Sequence, residues 1–152
     1  MKSENIQQSD VPYYSIGTLA RMLEVSVHTL RMYEREKLIV PFKKESGHRL
    51  YSDSDVERIR CIRYAINEEK LSIAGIRKIY SLIPCWQIIG CPESDRKGCS
   101  AFKGHSQPCW SYNHKKNICA KLDCRKCDVY NISSDCGKIK SSITAIGRTL
   151  TK

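Results

Sequence analysis

The chain has 152 residues, with 26 Lys+Arg against 16 Asp+Glu, a net charge of +10 and nine cysteines. That length suits one domain or two small ones; no apolar run reaches the ~20 residues that span a bilayer, and residues 1–12 lack the apolar core of a signal peptide, so a cytoplasmic protein without a membrane partner is expected. In that compartment clustered cysteines favour metal binding or redox chemistry over structural disulfides, and the basic balance points to a polyanionic partner, nucleic acid first.

Residues 1–12 read as a polar tail. Ser15 is placed to cap a short helix with apolar positions Ile16, Leu19, Ala20 and Leu23. "EVS" at 24–26 breaks it, and Ser26 caps a second helix from Val27 to about Lys37. Two short helices joined so tightly suggest a helix-turn-helix. "LIVPF" at 38–42 reads as a strand, "KKESGH" as a turn in which Gly47 can take positive φ, and "RLY" at 49–51 as the returning strand. Ser52 caps a third helix with Asp53 and Asp55 in its first turn and Val56, Ile59, Ile62 and Ile66 as its buried stripe. Ser72 starts a fourth, with Ile73, Ile76, Ile79 and Ile83 on one face, and Pro84 ends it. Cys61, in the third helix near the apolar stripe, reads as a small buried hydrophobe.

Residues 85–131 are poor in aliphatics and lack periodicity. Such a segment cannot bury enough apolar area to offset its ordering entropy, which predicts metal–thiolate bonds as its scaffold. Eight of the nine cysteines follow Pro84: Cys85, Cys91, Cys99, Cys109, Cys119, Cys124, Cys127 and Cys136. Cys124-Arg-Lys-Cys127 matches the CxxC half of a zinc knuckle, since two thiolates from one turn can reach one ion. Eight thiolates suit two four-cysteine zinc sites, two iron–sulfur clusters, or one site with spare redox thiols; zinc is set ahead of iron–sulfur. Trp86 and Trp110, each following a Pro-Cys pair, are expected to roof the thiolates. His105 and His114 stand between the cysteines as substitute ligands or as solvated loop residues. The closing stretch 132–150 has Ile139, Ile143, Ile146 and Leu150 on one helical stripe, for packing on its own chain or across a dimer.

"SIGTLARMLEVSVHTLRMYEREKLIVPFKKESGHRLYSDSDVERI" then resembles the DNA-binding domain of the MerR family of bacterial transcription regulators. The matching positions are Ile16-Gly17, Leu19-Ala20, Val25-Ser26, Thr29-Leu30-Arg31, Tyr33-Glu34, Leu38-Ile39 with Pro41, Gly47 with Arg49 and Tyr51, and Asp55. "SIAGIRKIYSL" resembles the family's fourth helix, and "HTLRMYERE" the branch with heat-shock and glutamine-metabolism repressors. The implied fold is mainly α: a winged helix-turn-helix of four helices plus a β-hairpin wing (13–84), then a small metal-stabilised Cys-rich module (85–136) and a short C-terminal helix (137–152). The implied partners are double-stranded promoter or operator DNA, a second copy in a homodimer, and RNA polymerase indirectly at the promoter.

Within that fold Val27, His28 and Arg31 occupy the first turns of the recognition helix, where base edges are met. Arg31 is the base reader, because a guanidinium bonds guanine bidentately. Ser15, Thr29, Tyr33, Arg35, Lys43 and Lys44 suit phosphate contacts. His48 and Arg49 sit on the wing; Tyr51 is a DNA contact or a core residue. The family usually follows its fourth helix with a long dimer helix, which Pro84 and Cys85 stop here. The two Cys-Trp units with "CRKCDVY" are similar to a small Cys-rich module appended to bacterial signalling proteins.

The expected function is a sequence-specific transcription regulator with a metal- or redox-responsive tail. The alternative is a DNA-binding adaptor whose zinc-folded tail is structural. A thiol oxidoreductase on Cys124-x-x-Cys127, with Arg125 and Lys126 lowering a thiol pKa, lacks the accompanying βαβ pattern. No Ser/His/Asp set or phosphate-cradling glycine loop is present, so no enzyme is expected.

Overall fold

The computed structural model describes residues 11–135, 137–141 and 144–145. Strand β1 (Tyr14–Ser15) leads into α1 (Ile16–Leu23), where the Ser15 hydroxyl accepts from the Thr18 N–H. Glu24, in the left-handed region at φ 54°, closes the helix by donating to the Ala20 and Arg21 carbonyls. Ser26 then caps α2 (Val27–Arg35) through the Thr29 N–H. The turn between the helices is as tight as the sequence predicts, and Leu19, Ala20 and Leu30 close their contact.

The wing is the antiparallel pair β2 (Phe42–Lys43) and β3 (Arg49–Tyr51), with Phe42 opposite Leu50 and Lys43 opposite Arg49. Gly47, at φ 85°, makes the turn that lets its N–H reach the Lys44 carbonyl. β1 pairs with the other edge of β3, giving the order β1-β3-β2. The expected strand over 38–42 shrinks to β2. Leu38 and Ile39 are buried without a strand partner, and the backbone of Val40 bonds side chains instead.

A reciprocal capping box of Ser52 and Asp55 starts α3 (Asp53–Asn67), and Ser72 caps α4 (Ile73–Ser81) through the Gly75 N–H. Pro84 does not merely stop the chain: it opens a short helix, α5 (Cys85–Ile88). Next come α6 (Glu93–Lys97), α7 (Ser100–Lys103), 3-10 turns at Cys109–Ser111, Ile118–Lys121 and Cys124–Lys126, and α8 (Asp128–Ile132). Residues 137–141 and 144–145 are helical. Among the described residues no helix is long and apolar enough to cross a membrane.

One apolar cluster joins both halves. Leu19, Leu30, Leu38, Ile59, Ile62 and Tyr80 pack with Trp110, Val129, Tyr130 and Ile139. This corrects the expectation that residues 85–131 own too little apolar surface to be held by packing: Val129 and Tyr130 are 1% and 2% exposed. Of the C-terminal stripe, Ile139 is buried; Ile143, Ile146 and Leu150 lie outside the described residues, as does the 1–10 part of the N-terminal tail.

Candidate nucleic-acid interface and thiol cavity

α2 and the wing present a basic surface. His28, Arg31 and Arg35 on α2, and Lys43, Lys44, His48 and Arg49 on the wing, are exposed, and Val27 and Thr29 are half-buried. The Thr29 hydroxyl shares a 2.9 Å hydrogen bond with Ser26, and exposed Ser15 has its hydroxyl engaged by Thr18. Arg49 Nε donates to Glu34 Oε2 at 2.9 Å, and the Tyr51 hydroxyl donates to Glu34 Oε1, so one carboxylate ties the wing to the recognition helix. Two expectations are corrected by burial. Tyr51 is 0% and Tyr33 3% exposed, so both rings are core and neither is offered to a phosphate. Burial and the Glu34 bond push the Tyr51 hydroxyl far up, keeping it a neutral donor.

The eight cysteines of the second half divide. Cys85, Cys109, Cys119, Cys124 and Cys127 line one small cavity with His114, Trp110, Ile89, Leu122, Val129 and Tyr130. The space is about 20 Å³, room for one water-sized guest. Cys91 and Cys99 are buried elsewhere, and Cys136 lies outside the described residues. Among the described residues no three Cys, His, Asp or Glu side chains already meet as a metal-ligand group. The thiols share walls without converging. Of the two tryptophans only Trp110 lines this cavity; Trp86 packs edge-on against Phe102 at 5.1 Å. Exposed His105 is a loop residue. The His114 ring nitrogens are engaged by the Cys109 carbonyl at 2.9 Å and the Asn117 amide at 3.1 Å.

The thiols are electrostatically coupled. A hydrogen bond from Cys109 holds the Cys85 thiol down at about 7. The same bond, with burial and the charge of Cys85, pushes Cys109 far up. Burial, then charge on Cys127, Cys85, Cys91 and Cys99, pushes Cys119 up to about 12. Burial first, then each other's charge among smaller effects, raises Cys124, and burial raises Cys127. Such a set is proton-rich when metal-free, and a metal would have to displace those protons. Cys61 is corrected too: it is half-buried and disulfide-bonded, not a free core thiol.

The second half grips the first through side chains that sequence spacing did not single out. Arg125 is not directed at a thiol: it forms a bidentate pair with Asp55, Nη2 to Oδ2 at 3.0 Å and Nη1 to Oδ1 at 3.4 Å, and Nη1 also donates to the Val40 carbonyl. The Val40 N–H donates to the Tyr130 hydroxyl at 2.8 Å, and Trp110 Nε1–H donates to the Lys37 carbonyl at 2.7 Å. Buried Arg58 bonds the Tyr130 carbonyl at 2.5 Å and the Ser133 hydroxyl, with its guanidinium 3.5 Å from the Tyr130 ring centroid. No local signal marks these contacts, since each joins residues 70 or more apart.

The family model described as MerR HTH family regulatory protein matches residues 14–82. Residues 14–82 are a MerR-family helix-turn-helix domain. The HTH-type transcriptional regulator ZntR of Escherichia coli is 39% identical over 70 residues, covering 45% of this chain and 49% of ZntR. The HTH-type transcriptional regulator TnrA of Bacillus subtilis is 39% identical over 59 residues, covering 39% of this chain and 54% of TnrA. The chain thus spans about half the length of these relatives. The family match ends two residues before Pro84 and leaves the Cys-rich half outside the MerR-type domain.

Proposed function

We propose that the chain is a sequence-specific DNA-binding transcription regulator of the MerR type whose Cys-rich half is a metal- or redox-responsive module. The observation that carries the DNA reading is the exposure of His28, Arg31 and Arg35 on α2 and of Lys43, Lys44, His48 and Arg49 on the wing, with the wing tied to α2 through Glu34. Arg31 reads base edges from the groove; the lysines contact phosphates and set affinity through counterion release. A homodimer on an inverted repeat in promoter DNA is the expected assembly, with RNA polymerase influenced through the promoter.

The donor set of the cavity suits a soft metal. Cys85, Cys109, Cys124 and Cys127 are the proposed ligands, with Cys119 beside them; bound metal would draw the walls together and hold the thiolates ionised. The donor types suit zinc or iron–sulfur alike, and the water-sized space favours a single zinc ion, since a cluster would need the walls to move apart. The experiment is selection of duplexes from a random-sequence pool by the full chain, followed by binding of the recovered sequence at several salt concentrations. A recovered consensus whose affinity falls steeply with salt supports the reading; recovery of no sequence above the starting pool refutes it.

A further inference from the structure

Beyond the cap residue Glu36, Lys37–Pro41 connect α2 to β2 and, together with the Glu34 contacts, set where the wing stands relative to the recognition helix. This linker carries little regular backbone pairing of its own. It begins at Lys37, a non-glycine residue at φ 62°, in a region that costs a side-chain-bearing residue free energy unless its surroundings enforce it. Its outer fixings come from the second half: Trp110 takes the Lys37 carbonyl, Tyr130 takes the Val40 N–H, and Arg125 takes the Val40 carbonyl while paired to Asp55. Two of these side chains line the thiol cavity, and the third is next to a lining residue in sequence. Trp110 and Tyr130 form its wall, and Arg125 stands between Cys124 and Cys127, which form the wall on either side of it.

We propose that Trp110 and Arg125 are positioning residues for DNA binding: they hold the Lys37–Pro41 linker and thereby set the wing against the recognition helix. The proposal rests on the DNA reading above. It gives the thiol cavity a route to the DNA-binding surface inside a single chain, with no need to alter the spacing of two protomers. A rearrangement of Cys124 and Cys127 has to move Arg125. A rearrangement of the Cys109 wall has to move its neighbour Trp110.

The test uses the full chain and two variants. Trp110→Phe keeps an aromatic ring, though a smaller one, and removes the N–H that holds Lys37. The double variant Asp55→Asn with Arg125→Met removes the grip on Val40 without leaving a buried charge unpaired. Two readouts are taken: amide hydrogen exchange across residues 38–43, and affinity for a duplex recovered by the wild type against a scrambled duplex. The expected result is exchange at Val40 faster by roughly tenfold beyond any change in α1 and α3. Affinity for the recovered duplex drops by about fivefold or more, while the scrambled duplex, bound through phosphates, changes less than about twofold. Unchanged exchange overturns the proposal. So does a loosened linker with unchanged affinity for the recovered duplex. A merely structural role would speed exchange in α1 and α3 as much as at Val40 and weaken both duplexes equally, which also overturns it. If the wild type recovers no duplex, the DNA reading falls and the positioning role falls with it; the exchange readout still shows whether the second half grips the linker.

Discussion

The ion pair between Asp55 and Arg125 is the most exacting test of how the two halves are joined. Their side chains are 2% and 12% exposed, so neither charge is solvated if its partner is lost. Arg125→Met leaves the Asp55 carboxylate with only the Ser52 N–H at 2.8 Å and the Ser52 hydroxyl at 3.2 Å. Breaking one side of a buried pair costs ~3–5 kcal/mol, and these two remaining donors place the cost near ~3 kcal/mol. Asp55→Asn keeps an acceptor for the capping box but removes the carboxylate charge paired with the buried guanidinium, again ~3 kcal/mol. The double variant buries no unpaired charge and costs about 3 kcal/mol in all, a coupling energy of about 3 kcal/mol. Urea unfolding followed by Trp110 and Trp86 fluorescence measures this: with a slope near ~2 kcal/mol/M, each single variant moves the midpoint down by ~1.5 M. Additive effects, with coupling below ~0.5 kcal/mol, would refute the joined-halves reasoning.

Arg31→Ala is expected to cost ~1–3 kcal/mol in binding to a selected duplex and to relax preference at one base pair, checked by repeating the selection. Lys43→Ala is expected to weaken selected and scrambled duplexes alike and to reduce the salt slope by about one. In metal-free, reduced protein the bond from Cys109 favours the Cys85 thiolate, so its ionised fraction grows as pH rises through about 7. Alkylation at Cys85 should follow that midpoint while Cys119 resists until about 12; an ordinary thiol profile for Cys85 in wild type, or no upward move in Cys109→Ala, contradicts the pairing. Ser52→Ala removes the cap of α3 and is expected to lower stability by ~1–2 kcal/mol in the same urea assay.

The first half was legible because its signals are local. Ser15, Ser26, Ser52 and Ser72 each cap the helix that they precede in sequence, and Gly47 takes the positive φ that the wing turn needs. What escaped was non-local. β1 is only two residues long and is defined by its partner β3. The apolar run Leu38–Val40 has strand composition, yet its burial and bonds come from elements far along the chain. Arg58 and Arg125 count as surface charge in any composition argument, but both sit at the junction of the halves, where burial is offset by a carboxylate, carbonyls and an aromatic face. In the Cys-rich half, spacing identified the thiols without sorting them. Only folding brings five to one cavity and sends Cys91 and Cys99 elsewhere.

The central claim is that the thiol-lined half governs DNA binding by the MerR-type domain. Its most direct measurement is the affinity of the full chain for its own recovered duplex in three preparations: reduced and metal-loaded, reduced and metal-free, and oxidised. The account predicts at least a roughly tenfold difference between two of these states, about 1.4 kcal/mol of coupling, with the scrambled duplex nearly unaffected. Equal affinity in all three would contradict it and leave the second half as a structural support for the wing.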